Sequence, residues 1–261
     1  MSNAISPPAE AERFSWLERK DDDFPYYRGQ PVGISSQGWL IVLVGVALGF
    51  SVLYLGVEFT GGALPPMLAA LLFWAIPLVA LALVAGRHWT ALFRPLRGVD
   101  FLWMIGFAIL NLVVTLVTGS LINALTDATA NTAVTGAGQH GSSDLLQFFV
   151  MTGIQLIGEE VTSILPFLAL LYWFSGKGRM GRKSAIVLAT LIVAVLFAFE
   201  HGATYDWNLI QILLGVGVAR IILFLPYFMT KNLAVSAGAH ILNDWMFFGI
   251  GILATSTAAA Q

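Results

Sequence analysis

Two adjacent carboxylates, Glu159 and Glu160, lie in the middle of a stretch apolar enough to cross a bilayer, and His201, His240 and Asp244 stand in other such stretches. A charged side chain at the centre of a membrane helix costs about 2.5 to 3.5 kcal/mol on insertion scales, so a chain that keeps several is using them. Carboxylates and imidazoles together activate water, move protons and ligate zinc. A zinc site of the H-E-x-x-H type needs two histidines one turn apart with a glutamate between, and Glu200-His201 lacks the rest of that pattern. A proton-sharing aspartate pair would need a membrane partner for Asp206. A serine-histidine pair would need a serine inside a span, whereas Ser142 and Ser143 fall in a stretch that reads as a loop. The chain has no cysteine, which excludes disulfides, thiol nucleophiles and cysteine-ligated metals.

The elements that must hold these groups are membrane helices. The chain is 57% hydrophobic and 11% charged, outside the range of a soluble domain. A bilayer core of about 30 Å takes about 20 apolar residues as helix, which gives spans at about 38 to 57, 65 to 86, 101 to 125, 144 to 174, 184 to 201, 208 to 229 and 232 to 253. The expected fold is therefore an all-α polytopic membrane bundle of about seven helices, with an eighth, re-entrant piece left open. It divides into a polar cytoplasmic tail over residues 1 to 36 and a single membrane domain over 37 to 255, whose motif-bearing core is at about 144 to 250. Lys and Arg cluster in the tail, after span two, after span four and at Lys231 after span six, and are absent from the intervening loops. By the positive-inside rule the N-terminus is cytoplasmic and the C-terminus outside. The expected location is a bacterial inner membrane.

Further readings follow from local pattern. Phe14 and Leu17 stand at helical spacing among charges, so the tail reads either as a short interfacial helix or as a disordered segment. Residues 126 to 143, rich in Thr, Ala, Gly and Asn, read as an outside loop. Gly45 and Gly49 make a small-xxx-small face that pairs helices either within the bundle or between two copies of the chain, which leaves a homodimer open. The dispersed basic residues form no patch for nucleic acid.

Gly158-Glu159-Glu160, then Phe197-Ala-Phe-Glu-His201, then His240-Ile-Leu-Asn-Asp244, in this order and each in an apolar span, resemble the CPBP family of CAAX-processing and bacteriocin-processing intramembrane proteases. The family's motifs run E-E-x-x-x-R, F-x-x-x-H and H-x-x-x-N or D. The resemblance implies a membrane endopeptidase acting on a membrane-associated peptide or protein. Glu159 would be the general base, His201 would position the water, and His240 with residue 244 would hold the oxyanion. Asn243 is a further oxyanion donor, because Asp244 donates a hydrogen bond only when protonated. The same Glu159, His201, His240 and Asp244 would suit a divalent metal such as zinc, and the sequence leaves both mechanisms open. One departure stands out: the family's Arg is here Ile164, so Glu160 loses the cation one turn away. Arg220, alone inside span six, is the candidate replacement. Membrane carboxylates and histidines also make proton relays, so a proton- or ion-coupled transporter is the alternative, and the missing Arg keeps a catalytically silent scaffold or immunity factor in view.

Overall fold

The computed structural model describes residues 5–131 and 142–259 and contains seven long helices, with no strand among the described residues. They are α1 (Ser36–Phe59), α2 (Pro66–Ala85), α3 (Gly98–Leu125), α4 (Ser142–Tyr172), α5 (Arg182–Glu200), α6 (Leu209–Thr230) and α7 (Leu233–Ala259). The first six are long and apolar enough to cross a membrane. α7, at 27 residues, has the length but is less apolar, since His240, Asn243 and Asp244 interrupt it. Apart from these helices the described residues hold only short helical pieces and turns, among them the 3-10 helix Gly86–Leu92 after α2 and the π-helical turn Trp173–Lys177 that extends α4. Ser142 and Ser143 open α4 rather than lying in a loop, and residues 132–141 of the expected outside loop fall outside the described residues.

A helix that is apolar all round gives one face to its neighbours and another to lipid. α4 is the central helix: 72% of its apolar stretch is buried, against 22% of α3. It packs on α1, α2, α5 and α7, while α3 lies against α6 and α7 at the edge. Pro166 sits within α4 without ending it, and α6 opens with a π-helical stretch, Ile212–Gly217.

Two close approaches set the α1–α2–α4 side. Gly45 and Gly49 face α2, where a Cβ would stand 2.6 Å from Ala80 Cβ and 2.5 Å from the Phe73 carbonyl oxygen. That small-residue face is thus filled by a helix of the same chain. Gly158 lies against Phe73, whose ring edge would overlap an added Cβ. Gly158→Ala should destabilise the protein by about 1–3 kcal/mol, the usual cost of overpacking, read as a lower thermal midpoint in detergent. It should also disturb Glu159, its neighbour in sequence.

The tail is neither an interfacial helix nor an unstructured arm. Residues 14 to 18 form turns, and among the described residues of the tail only Glu10–Glu12 is helical, as one 3-10 turn. Phe24 is buried, with its ring 5.3 Å from Phe167 and 5.7 Å from Phe228. Around it lies a buried charge cluster. Arg182, at the start of α5, donates to Glu18 Oε1 and Oε2 at 2.8 and 2.6 Å and to Asp23 Oδ1 at 2.7 Å. Lys231, between α6 and α7, donates to Glu18 Oε2 at 2.8 Å. Arg94 pairs with Asp22 at 2.8 Å, and Arg19 with Asp100 at the start of α3. Buried charges survive only when paired, so the tail's acids and the basic residues of this end fold as one unit.

Burial pushes the Lys231 ammonium down, to about 8, against the pull of Glu18. Burial alone would raise Glu18, but the Arg182 hydrogen bond and the charges of Lys231 and Arg182 outweigh it and hold the carboxyl at about 2. A lowered carboxyl pKa stabilises the fold above the unfolded value of 4.5, and that stability is lost as pH falls toward 2. Protection of the amides of residues 14 to 30, taken against the intrinsic exchange rate at each pH, should therefore fall between pH 4.5 and pH 2, ahead of that of the membrane helices; a uniform fall across the chain would contradict the assignment.

Candidate active site

Glu159 and Glu160 are successive residues of α4, so their side chains point about 100° apart around the helix. Glu160 turns into the packed interface with α6 and α7 and is fully buried. His240 Nδ1 lies 2.9 Å from Glu160 Oε1, and Ser236, one turn earlier on α7, donates its hydroxyl to Glu160 Oε2. Because a carboxylate only accepts, His240 carries its proton on Nδ1, which leaves Nε2 facing away. From α6, Arg220 Nη2 approaches Glu160 Oε1 to 2.7 Å. That contact is charge against charge rather than an aligned hydrogen bond, since none of the three guanidinium nitrogens has a hydrogen-bond partner among the described residues. The guanidinium is also clamped between the rings of Phe197 and Phe224, at 5.1 and 4.8 Å, a cation–π arrangement. The cation missing at Ile164 is thus supplied by Arg220 from another helix, and it reaches neither lipid nor headgroups.

Glu159 faces the other way, into a cavity of about 590 Å3 bounded by α3, α4, the end of α5, α6 and α7. Gln155, one turn before it, donates to Glu159 Oε1 at 3.3 Å. His240 Nε2 stands 3.9 Å from Glu159 Oε2 and 3.7 Å from Asp244 Oδ1, so two carboxylates flank the free imidazole nitrogen. His201 caps the end of α5, and its Nδ1 lies 2.9 Å from the Phe197 carbonyl oxygen. A carbonyl only accepts, so Nδ1 carries a proton and donates, which leaves Nε2 outside that bond. The rings of His201 and His240 both pack on Phe197, at 4.6 and 6.4 Å, and both histidines line the cavity.

The structure thus places Glu159, His201, His240, Asn243 and Asp244 on one cavity and puts Glu160 and Arg220 at its base. Span lengths alone set His201 and His240 at different depths; α5 is only 19 residues long, and its last turn ends level with the cavity. One N–H of Asn243 Nδ2 donates to Asp244 Oδ1 at 2.8 Å, and a carboxamide nitrogen carries a second. Asn208 accepts from the Gln211 amide at 3.1 Å as a helix cap. As placed, the four residues expected to hold zinc do not form a metal set: no group of three or more His, Asp or Glu able to hold an ion occurs among the described residues. Sequence reasoning misses Ser236, although it lies one turn before His240 on the same face, and Asn111 of α3, which also lines the cavity.

Residues 141–246 match the model of the family described as Type II CAAX prenyl endopeptidase Rce1-like. The match covers the site-bearing part of the chain. Every site residue named above except Asn111 falls within the Rce1-like segment. This supports intramembrane endopeptidase activity in general and, with six membrane-length apolar helices, makes the chain an integral membrane protein. A stretch of 72 residues is 36% identical to Multidrug resistance protein 3 of Bacillus subtilis (strain 168), covering 27% of this chain, and the chain spans 13% of that relative's length. No solved structure matches the chain.

Proposed function

We propose that the protein hydrolyses a peptide bond of a membrane-associated substrate with water activated by Glu159, within the bilayer of a bacterial inner membrane and with the tail cytoplasmic. The observation that carries this reading is the pairing of a carboxylate and a free imidazole nitrogen across 3.9 Å on a shared cavity. A water at hydrogen-bond distance, about 2.8 Å, from both groups spans that gap. Glu159 takes one proton of the water as the oxygen attacks the scissile carbonyl, and His201 in its neutral form accepts the other O–H at Nε2 as a hydrogen bond. His240 enters the reaction doubly protonated, with Glu159 and Asp244 beside Nε2; it donates Nε2–H to the oxyanion and keeps that proton, while Glu160 on Nδ1 orients the ring as a carboxylate orients the histidine of a catalytic triad. The proton on Glu159 then passes to the leaving amine as the C–N bond breaks. Asp244 faces the same imidazole nitrogen and serves His240 rather than the oxyanion.

On this reading Ile164 does not mark a silent scaffold, because Arg220 holds the charge that Glu160 needs. The transporter alternative draws on the same membrane acids and histidines as a proton relay and on a 72-residue likeness to 13% of a multidrug resistance protein. The test is cleavage of a fluorogenic peptide library and of a farnesylated CAAX peptide by the purified protein in detergent, with His240→Gln alongside. The account expects His240→Gln to cut turnover by about 10²–10³-fold, the loss typical of one oxyanion donor. Unchanged turnover would remove His240 from the reaction.

A further inference from the structure

The cavity has a wall that the Rce1-like match does not cover. α3 precedes residue 141, and its Asn111, Thr115, Thr118, Gly119 and Asn123 all line the cavity. Their spacing of four, three, one and four residues keeps them on one helix face. On the opposite side Val113 and Val117 are 52% and 66% exposed, the face given to lipid. At the deep end Asn111 is fully buried, and neither its Oδ1 nor its Nδ2 has a hydrogen-bond partner among the described residues. A carboxamide offers two donors and an acceptor, and leaving a buried polar group unpaired is costly, so this one is waiting for a partner.

A peptide bond can be cut only when its segment is unwound, which frees main-chain N–H and C=O groups. In hydrocarbon no water satisfies them, so the protein must. A planar carboxamide can donate to one main-chain carbonyl and accept from a nearby main-chain N–H, as a neighbouring strand would. We propose that the polar face of α3 is the substrate-binding wall of the cavity, and that Asn111 pairs through its carboxamide with the main chain of an unwound peptide segment beside the scissile bond. This inference rests on the peptidase reading, but its test separates the two.

With a farnesylated CAAX peptide as probe, Asn111→Leu should raise KM about tenfold or more with a smaller change in kcat, and Thr115→Val should raise it a few-fold, since losing substrate hydrogen bonds weakens binding. A purely structural Asn111 would instead lower the thermal midpoint or kcat and leave KM unchanged. Binding is read independently of cleavage. The chain has no cysteine, so a cysteine introduced into a Glu159→Gln background is its sole thiol. The same peptide carrying a bromoacetyl group upstream of the scissile bond should alkylate Thr118→Cys at least tenfold faster than Val113→Cys. Equal rates at the two positions, or an unchanged KM in Asn111→Leu, overturns the inference while leaving Glu159-dependent cleavage standing. Selective labelling at Thr118→Cys by a protein that cleaves nothing keeps the binding wall and removes the peptidase reading.

Discussion

Glu159→Gln should abolish peptide cleavage, with kcat reduced by at least about 10³-fold, while the protein folds and unfolds as before. General-base catalysis contributes typically about 10²–10⁴-fold, and here the same carboxyl must also return its proton to the leaving amine, so the upper half of that range is expected. The substitution is nearly isosteric. The only hydrogen bond that the Glu159 carboxylate makes among the described residues is the 3.3 Å contact from Gln155, which a glutamine oxygen also accepts. Loss of turnover with an unchanged thermal midpoint separates this role from a packing role, in which midpoint and turnover would fall together.

The largest stability effect should come from the buried pair beneath it. Arg220 and Glu160 are both fully buried, and removing one partner of such a pair costs about 3–5 kcal/mol because the other charge is left unmatched. The two single variants should differ. Glu160→Gln strands a guanidinium that cannot shed its proton, whereas Arg220→Met leaves a carboxyl still bonded by His240 and Ser236. Glu160→Gln should therefore be the more destabilising. The double variant should lose less than the two singles together, because the pair is removed as a unit. Thermal unfolding of all four proteins in one detergent measures this; additive losses would mean that the two charges are stabilised separately.

That pair is legible in the sequence because each member is expensive alone: a membrane Arg without an acid and a membrane Glu without its motif cation imply one another. The helices are legible for a similar reason, since runs of about 20 apolar residues have few other uses. Ser236 is not, because a serine inside a membrane helix closes a hydrogen bond on its own turn as readily as on a neighbour; only the packing of α7 on α4 aims it at Glu160. Asn111 does not stand out when polarity is weighed residue by residue, and the stripe from Asn111 to Asn123 shows only when α3 is viewed as a helix with one face turned inward. The tail defeats a local reading because its charges look solvated. Their partners, Arg182 and Lys231, lie 164 and 213 residues from Glu18, a separation at which no local pattern carries a signal.

The acid cluster, the Gly158 contact and the Glu160 hub share one consequence. The tail clamps the ends of α5 and α7, Gly158 seats α4 on Phe73, and Glu160 ties α4, α6 and α7 together. A displacement of about 1 Å in any of them is enough to cost catalysis heavily. Distant substitutions in this bundle should therefore reach the reaction through the 3.9 Å gap between Glu159 and His240.

The most direct test of the central claim is the mass spectrum of products from a farnesylated CAAX peptide incubated with the purified protein in water enriched in oxygen-18. Hydrolysis by activated water predicts two fragments whose masses sum to the substrate plus one water, with the heavy oxygen in the new carboxyl group and no fragments from Glu159→Gln. Intact peptide with the unsubstituted protein, or equal cleavage by Glu159→Gln, would contradict it.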